Sequence, residues 1–304
     1  MAATPAPAPS IAKSAAPPAA PKSESFAAKV GRWSRKWPLQ LFLLAIALVW
    51  LVPTIGLFFT SLMPADRISQ DGWWTIFTEP SIATLDNYKA VFDNNDLTSA
   101  LWTTVMISVG NTVLLVLIAA LAGYAFAWLE FPGRDWLFVV VIGLLVVPLQ
   151  TALIPVFKIY QTTGLFDSVL GLILFHVAFG LPFGIFLMRN FFVGIPKDIL
   201  ESARIDGASE LTIFFKLMLP LALPAIASLA IFQFLWTWND LIVALTFGRD
   251  TQPITVAIFT QLRQFGSNIE LIAPASFVSM IIPLAVFFAF QRYFAQGLLA
   301  GSVK

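Results

Sequence analysis

Cysteine is absent from the 304-residue sequence, and histidine occurs once, at His176. Without cysteine the chain has no disulfide framework, no thiolate nucleophile and no cysteine-ligated metal. A single histidine excludes a histidine-rich metal site. The sequence also lacks a Gly-x-x-x-x-Gly-Lys-Ser/Thr loop, the motif whose backbone amides hold nucleotide phosphates. These absences predict a chain that holds no metal or cofactor of its own.

Charged residues are scarce in this sequence. They make up 12% of it and hydrophobic residues make up 58%, whereas a soluble domain has roughly 25% charged residues and about half apolar ones. The formal net charge is +1, and no basic cluster long enough to indicate a nucleic-acid partner occurs. The composition predicts a protein embedded in a lipid bilayer.

The N-terminal segment differs in composition from the rest of the chain. Residues 1–28 are rich in Ala, Pro and Ser and contain no apolar run. Such a segment buries too little apolar surface to offset the entropy lost on ordering, and it lacks the apolar core and cleavage site of a signal peptide. We therefore expect a disordered tail at 1–28 and a membrane domain at 29–304.

Long apolar runs dominate the membrane domain. A bilayer core of about 30 Å needs roughly 20 apolar residues of helix. Several runs contain Gly or Pro, which membrane helices tolerate better than soluble ones. The sequence predicts an all-α membrane protein with six transmembrane helices, at about 39–62, 101–129, 137–158, 168–188, 218–247 and 273–294.

Most of the 18 Lys and Arg residues lie in the predicted connections on one side of the membrane. Because Lys and Arg are enriched in cytoplasmic loops, both termini are predicted to be cytoplasmic. The connection at 63–100, which is acidic and carries Trp73 and Trp74, is then outside. The longest inner loop is 194–220.

This inner loop has the pattern of two short helices separated by a glycine. Asp198 and Glu201 have the spacing of a capping box, which predicts a helix start. Gly207 predicts the end of that helix, and an amphipathic piece follows at 210–219. Periodicity alone leaves two interpretations open, an ordinary polar connection or a docking element for another protein.

The residue string Glu201-Ser-Ala-Arg-Ile-Asp-Gly-Ala208, followed by Leu219-Pro220, resembles the EAA loop of ABC importer permeases. Ser202 stands where the family pattern has its first Ala. Further stretches resemble the carbohydrate permeases of this superfamily, and the C-terminus resembles the tail of the maltose-type second permease subunit. These stretches are Thr84–Phe92, Val147–Leu174, Phe234–Phe247 and Gln291–Lys304.

The resemblance implies a type I importer permease fold in a bacterial cytoplasmic membrane. The implied assembly contains a second homologous permease subunit, two copies of an ABC ATPase and an extracytoplasmic solute-binding protein. ATP and Mg²⁺ are then bound by the ATPase subunits. The chain itself is expected to be a non-catalytic transmembrane subunit.

The resemblance also implies roles for three groups of residues. Glu201 is expected to make the charged contact with the ATPase. Ala203 and Gly207 are expected to allow close approach and to form the corner, and Arg204 and Asp206 to make contacts at the rim. Ala208 belongs to the same coupling segment. The C-terminal tail is expected to reach the ATPase interface through Gln296, Gly297 and Gly301. The last outer loop, about Gly248–Leu271, is expected to probe the binding protein with Gln264, Gly266 and Asn268.

Polar groups at membrane depth usually face a cavity or a partner helix. Carboxylates, amides and aromatic faces suit sugar binding, so the candidate pathway residues are Gln150, Gln233, Trp236, Asn239 and Asp240. An equally available interpretation is that the polar groups hold helices together and that the tryptophan belongs to an interfacial belt. In the family, moreover, the other permease subunit holds the sugar.

The predicted function is import of a carbohydrate, with the stretch Ser61–Trp74 most similar to maltose, trehalose or other α-glucoside systems. One alternative is the same architecture serving glycerol phosphate or another polyol derivative. A secondary transporter or a membrane enzyme is the alternative from another class. It finds little support, since one histidine, no cysteine and scattered carboxylates provide no convergent catalytic group.

Overall fold

The computed structural model describes residues 26–265 and 268–300, and the side chains of 37–262 and 268–292. All regular structure in these residues is helical. The long helices are α1 (Phe26–Ser61), α5 (Asn95–Trp128), α8 (Val169–Val193) and α15 (Ile269–Ala300). The shorter ones are α2 (Ala65–Ile68), α3 (Thr75–Thr78), α4 (Asp86–Asp93), α6 (Arg134–Leu144), α7 (Leu149–Thr163), α9 (Lys197–Ile205), α10 (Glu210–Ile213), α11 (Leu219–Leu221), α12 (Leu223–Trp238), α13 (Ile242–Phe247) and α14 (Ile254–Phe265). A 3₁₀ turn occupies Pro80–Ile82, and a π-helical turn joins α10 to α11 at Phe214–Met218.

The chain divides into two units, residues 1–54 and 55–304. Of the predicted tail, residues 1–25 lie outside the described part, and α1 begins at Phe26. Between Trp37 and Pro53 the side chains of α1 are exposed on every face. A helix that is apolar all round suits a lipid environment.

The second unit is built around the pair α5 and α8. Their backbones approach closely at small residues, the usual arrangement in membrane helix pairs. A Cβ at Gly123 would lie 2.7 Å from Met188 Cβ, and one at Gly184 would lie 2.9 Å from Ala119 Cβ. Helix α12 packs on the same pair and brings Gln233 against Gly180.

The predicted number of spans agrees with the structure when two bent pairs are counted as spans. Within the described residues, four helices are long and apolar enough to cross a membrane unaided, at Trp37–Ser61, Asn95–Trp128, Val169–Val193 and Ile269–Arg292. The predicted continuous helices at 137–158 and 218–247 are wrong, because α6 and α7 meet at 101° and the segment Glu210–Leu221 meets α12 at 75°. Pro148 and Pro224 stand at the start of α7 and α12, where a missing N–H is tolerated.

The two connections predicted to be outside are ordered by hydrogen bonds between side chains and backbone. In the first, Asn87 Nδ2 donates to the carbonyl oxygens of Ser61 (3.1 Å) and Met63 (2.6 Å). In the last, helix α14 occupies half of the predicted loop, and Thr104 Oγ1 on α5 accepts from the Ile254 N–H at 2.7 Å. This connection therefore contains a packed helix.

A further contact joins the connection before α8 to the connection after α13. Asp167 has a left-handed backbone with φ 55°. Its Oδ1 accepts hydrogen bonds from the N–H groups of Arg249 (2.8 Å), Asp250 (2.9 Å) and Thr251 (2.8 Å). Burial opposes ionisation of this carboxyl, but the three N–H groups outweigh it and hold the pKa of Asp167 below its usual value.

Candidate functional site

The predicted coupling loop contains a short helix, α9, that ends at a glycine. Gly207 has φ +79°, which confirms that it terminates the helix. Its N–H donates to the Arg204 carbonyl at 3.0 Å, and the Ala208 N–H donates to the Ala203 carbonyl at 3.1 Å. This pair of bonds is a Schellman motif, which pairs carbonyl groups left over at a helix end.

The predicted capping box at the start of α9 is wrong. The N-cap is Pro196, and it makes no side-chain cap hydrogen bond. Asp198 lies inside the first turn, where a carboxylate still favours the helix dipole. Glu201 lies 3.9 Å from Lys197 Nζ, four residues earlier, and both side chains are exposed.

Helix α9 has one buried and one exposed face. Leu200 lies in the core, and Ala203 is half-buried against the same cluster. Glu201 and Asp206 are exposed, and the Ile205 side chain is 86% exposed. Sequence reasoning missed Ile205, although it is the apolar residue on the polar face of this short amphipathic helix.

Arg204, predicted as a rim contact to another protein, is engaged within the chain. Its Nε donates to Glu210 Oε1 at 2.7 Å, and its Nη2 donates to the Trp128 carbonyl at 3.4 Å. The hydrogen bond to Glu210 raises the pKa of Arg204 further above its ordinary value. Glu210 Oε2 also accepts from the hydroxyl of Tyr124 on α5. Sequence reasoning missed Tyr124 and Glu210.

A second cluster of polar side chains lies among α5, α8 and α12. Asn111 Nδ2 donates to Thr237 Oγ1 at 2.6 Å, and His176 Nε2 lies 3.6 Å from Asp240 Oδ2. The Asp240 carboxylate accepts from the N–H groups of Val243 and Ala244, at 3.2 and 3.0 Å, and so caps α13. The cavity at this cluster holds about 10 Å³, which is too small for a sugar.

The five candidate pathway residues do not share one environment. Gln233 is 3% exposed, and the side chain of Asp240 is largely buried, so both are enclosed by this subunit. Trp236, Asn239 and Gln150 are exposed. Asn239 Nδ2 donates to the Leu235 carbonyl at 2.7 Å.

The remaining predicted contacts fall at the edge of the described residues. Asn268 Nδ2 donates to Gln261 Oε1 at 3.2 Å. The backbone of Gln264 lies in α14, and that of Gln296 and Gly297 lies in α15, but their side chains are outside the described part. Gly266 and Gly301 lie outside the described residues altogether.

The bent and continuous spans, together with the short exposed helix α9, are the architecture of a multi-pass membrane protein. The family model of binding-protein-dependent transport system inner membrane components matches residues 115–300, which include α6 to α15. The chain belongs to this family. It is therefore a transport component of the inner membrane that works with a binding protein.

Named relatives are similar over most of the chain. The osmoprotective compounds uptake permease protein GgtD of Synechocystis sp. is 48% identical over 276 residues, which is 89% of this chain and 93% of that protein. The alpha-glucoside transport system permease protein AglG of Rhizobium meliloti is 48% identical over 235 residues, 75% of this chain and 62% of that protein. The trehalose transport system permease protein SugB of Mycobacterium tuberculosis is 37% identical over 259 residues, 84% and 92% of the two chains.

The fold is also that of a solved transporter. A chain of a bacterial ABC transporter involved in the import of the acidic polysaccharide alginate superimposes with a TM-score of 0.70, at 23% identity, over 90% of this chain and 100% of that one. This similarity confirms the predicted ABC importer permease fold.

Proposed function

We propose that this chain is the permease subunit of an ABC importer for a neutral carbohydrate of the α-glucoside class. The observation that carries the proposal is the coupling loop, in which α9 ends at Gly207 and exposes Glu201 and Ile205. The permeases for alpha-glucosides and trehalose, 48% and 37% identical to this chain, support the substrate class.

Coupling to ATP hydrolysis is assigned to α9. Glu201 offers a charged contact and Ile205 an apolar one, and protein interfaces combine an apolar core with a polar rim. Ala203 and Ala208 keep the helix end narrow. The docking partner is an ABC ATPase, present in two copies, which binds ATP and Mg²⁺. This chain contributes no catalytic group.

The translocation pathway is assigned to the exposed face of α12. Phe232, Trp236 and Asn239 follow one another at i, i+4 and i+7, so they lie on one face of the helix end. Phe183 on α8 approaches Phe232 with ring centroids 6.3 Å apart. Aromatic faces beside an amide suit a sugar, which presents both C–H and hydroxyl groups. A second, homologous permease subunit closes the pathway from the other side.

Release of solute from the binding protein is assigned to the connection between α13 and α15. A hydrogen bond from Asn268 to Gln261 joins the two residues that flank the segment containing Gln264 and Gly266. The C-terminal residues Gln296, Gly297 and Gly301 are proposed to reach the ATPase.

Import of another osmoprotective solute, such as a polyol derivative, is the second candidate function. It is favoured by GgtD, the osmoprotective compounds uptake permease that is 48% identical to this chain. Both candidates share the fold and the coupling loop, so they differ only in the solute that stimulates the complex.

Reconstitution of the complete complex tests the proposal. The four components are this chain, the second permease, the ATPase and the binding protein, placed in proteoliposomes with ATP inside. We expect maltose, trehalose or another α-glucoside to stimulate uptake and ATP hydrolysis, with polyols as the comparison panel. Stimulation by polyols alone would favour the second candidate. No binding-protein-dependent uptake of either class would contradict both.

A further inference from the structure

The corner at Gly207 is not held by its immediate surroundings. Gly207 is exposed, and a Cβ placed on it would meet no atom within 4 Å. Two backbone hydrogen bonds of the Schellman motif close the turn. Exposed backbone hydrogen bonds with few packed neighbours belong to the least stable parts of a fold. A force applied to α9 would therefore bend the chain at Gly207 unless another contact held the turn.

A side-chain bridge spans this corner. Arg204 stands before it and Glu210 after it, and they are joined by a hydrogen bond of 2.7 Å between ionised groups. The pair is about 40% exposed, and an exposed ion pair alone contributes little. Here, however, the second carboxylate oxygen of Glu210 is bound by the Tyr124 hydroxyl.

Tyr124 provides the fixed end of the bridge. Its side chain is 4% exposed and packs between the rings of Phe192 and Phe214, with centroid distances of 6.0 and 5.4 Å. Arg204 Nη2 makes a second connection to the same helix through the carbonyl of Trp128, the last residue of α5. Two separate contacts thus join the coupling loop to the carboxyl end of α5.

We propose that Glu210 is a positioning residue that locks α9, the Gly207 corner and the carboxyl end of α5 into one rigid body. Movement imposed on α9 is then passed directly to α5, and through the close packing at Gly123 and Met188 to α8. This role rests on the proposed function, in which α9 receives that movement from an ATPase.

The variant Tyr124→Phe tests the lock with minimal change, because it removes one hydroxyl and keeps the ring. Tyr160→Phe is the matched control. Tyr160 is also buried, and its hydroxyl donates to the Gly171 carbonyl at 2.9 Å, away from the coupling loop. In the complete complex, Tyr124→Phe is expected to lower solute transported per ATP hydrolysed by about tenfold, equivalent to ~1.4 kcal/mol. Tyr160→Phe is expected to leave this ratio unchanged.

Rescue separates the lock from a general structural effect. The single variants Arg204→Glu and Glu210→Arg each break the ion pair and are expected to lower the ratio. The double variant restores opposite charges across the corner and is expected to recover part of it, because a carboxylate at position 204 cannot donate to the Trp128 carbonyl. A wild-type ratio in Tyr124→Phe, or a double variant no better than the single ones, would overturn the proposal.

Hydrogen exchange in the same complex tests the lock without any solute. The amide of Ala208, which closes the Schellman motif, is expected to exchange faster in Tyr124→Phe and in Glu210→Gln than in wild type and in Tyr160→Phe. Unchanged exchange would overturn the lock even if the wild-type complex transports sugar. A wild-type complex that transports no solute would contradict the proposed function, while the exchange result would still decide whether the corner is locked.

Discussion

Asp167 accepts two hydrogen bonds from Thr251, one at its carboxylate and one at its backbone carbonyl. The Thr251 N–H donates to Asp167 Oδ1 at 2.8 Å, and Thr251 Oγ1 donates to the Asp167 carbonyl oxygen at 3.0 Å. The Arg249 and Asp250 N–H groups share the same carboxylate oxygen. These bonds fix the start of the connection assigned to the binding protein.

This contact is expected to depend on pH. The pKa of Asp167 is lowered in the folded chain, so its stabilisation is fully present above the unfolded value of about 3.9 and is lost as pH falls through the lower folded value. We expect exchange at the Arg249, Asp250 and Thr251 amides, measured relative to the intrinsic rate at each pH, to stay slow at neutral pH and to accelerate below about pH 4.

Asp167→Asn keeps the shape of the side chain and removes its charge. We expect the three amides to exchange faster at neutral pH, and the acid-dependent acceleration to disappear. Each hydrogen bond to a charged group contributes roughly 1.5–3 kcal/mol, so the effect on exchange is readily measured. Acid-dependent exchange that persists in Asp167→Asn would show that another group controls this connection.

Gly207→Ala is expected to weaken the coupling loop through backbone strain alone. No neighbouring atom would clash with the new Cβ, but a left-handed backbone with a Cβ costs roughly 1–2 kcal/mol. Binding-protein-dependent uptake should fall. Gly143→Ala is the matched control, because Gly143 is also free of neighbours but lies in α6. Equal uptake in the two variants would contradict the proposal that coupling needs the left-handed turn at Gly207.

Gly180→Ala is expected to destabilise the helix core instead. The new Cβ would lie 2.3 Å from Leu115 Cδ1 and 2.7 Å from Gln233 Oε1. Overpacking of this kind typically costs about 1–3 kcal/mol. Thermal unfolding in detergent should show a lower midpoint than for wild type or Gly143→Ala. An unchanged midpoint would mean that α12 moves away freely.

Two tryptophans on α12 are expected to respond differently to substitution. Trp238 is 2% exposed, and its Nε1 donates to the Ser279 carbonyl at 3.0 Å. Trp238→Ala should therefore lower stability by about 3–5 kcal/mol. Trp236 is 42% exposed, and Trp236→Ala should keep the fold while raising the KM for solute by about fivefold, a change of ~1 kcal/mol. An unaltered KM would show that Trp236 does not contact the solute.

Composition and run length were enough to predict a helical membrane protein and the number of its spans. The bends were not predictable in the same way. Pro148 and Pro182 both occur in apolar runs, yet α7 starts after Pro148 whereas α8 continues through Pro182. Whether a proline breaks a membrane helix depends on the groups that pair with the freed backbone, and those come from elsewhere in the fold.

In the coupling loop, too, some features were predictable from the sequence and others depended on distant parts of the fold. Gly207 was predictable, since a glycine at the end of a short amphipathic pattern has few other roles. The capping box was wrong, because Pro196 occupies the N-cap. The bridge to α5 was beyond sequence reasoning, because Tyr124 and Glu210 are 86 residues apart in the chain. The pairing of Asp167 with Thr251, 84 residues away, was hidden for the same reason.

The 101° bend between α6 and α7 has a consequence for the solvation of the backbone. The N–H groups of Leu145, Val146 and Val147 donate to carbonyls three residues earlier, at 3.0–3.2 Å, and Pro148 has no N–H. No amide donor in the four residues of the break is therefore left unpaired. Because hydrocarbon provides no acceptor for a free N–H, this arrangement keeps the donors of these four residues satisfied while the chain changes direction.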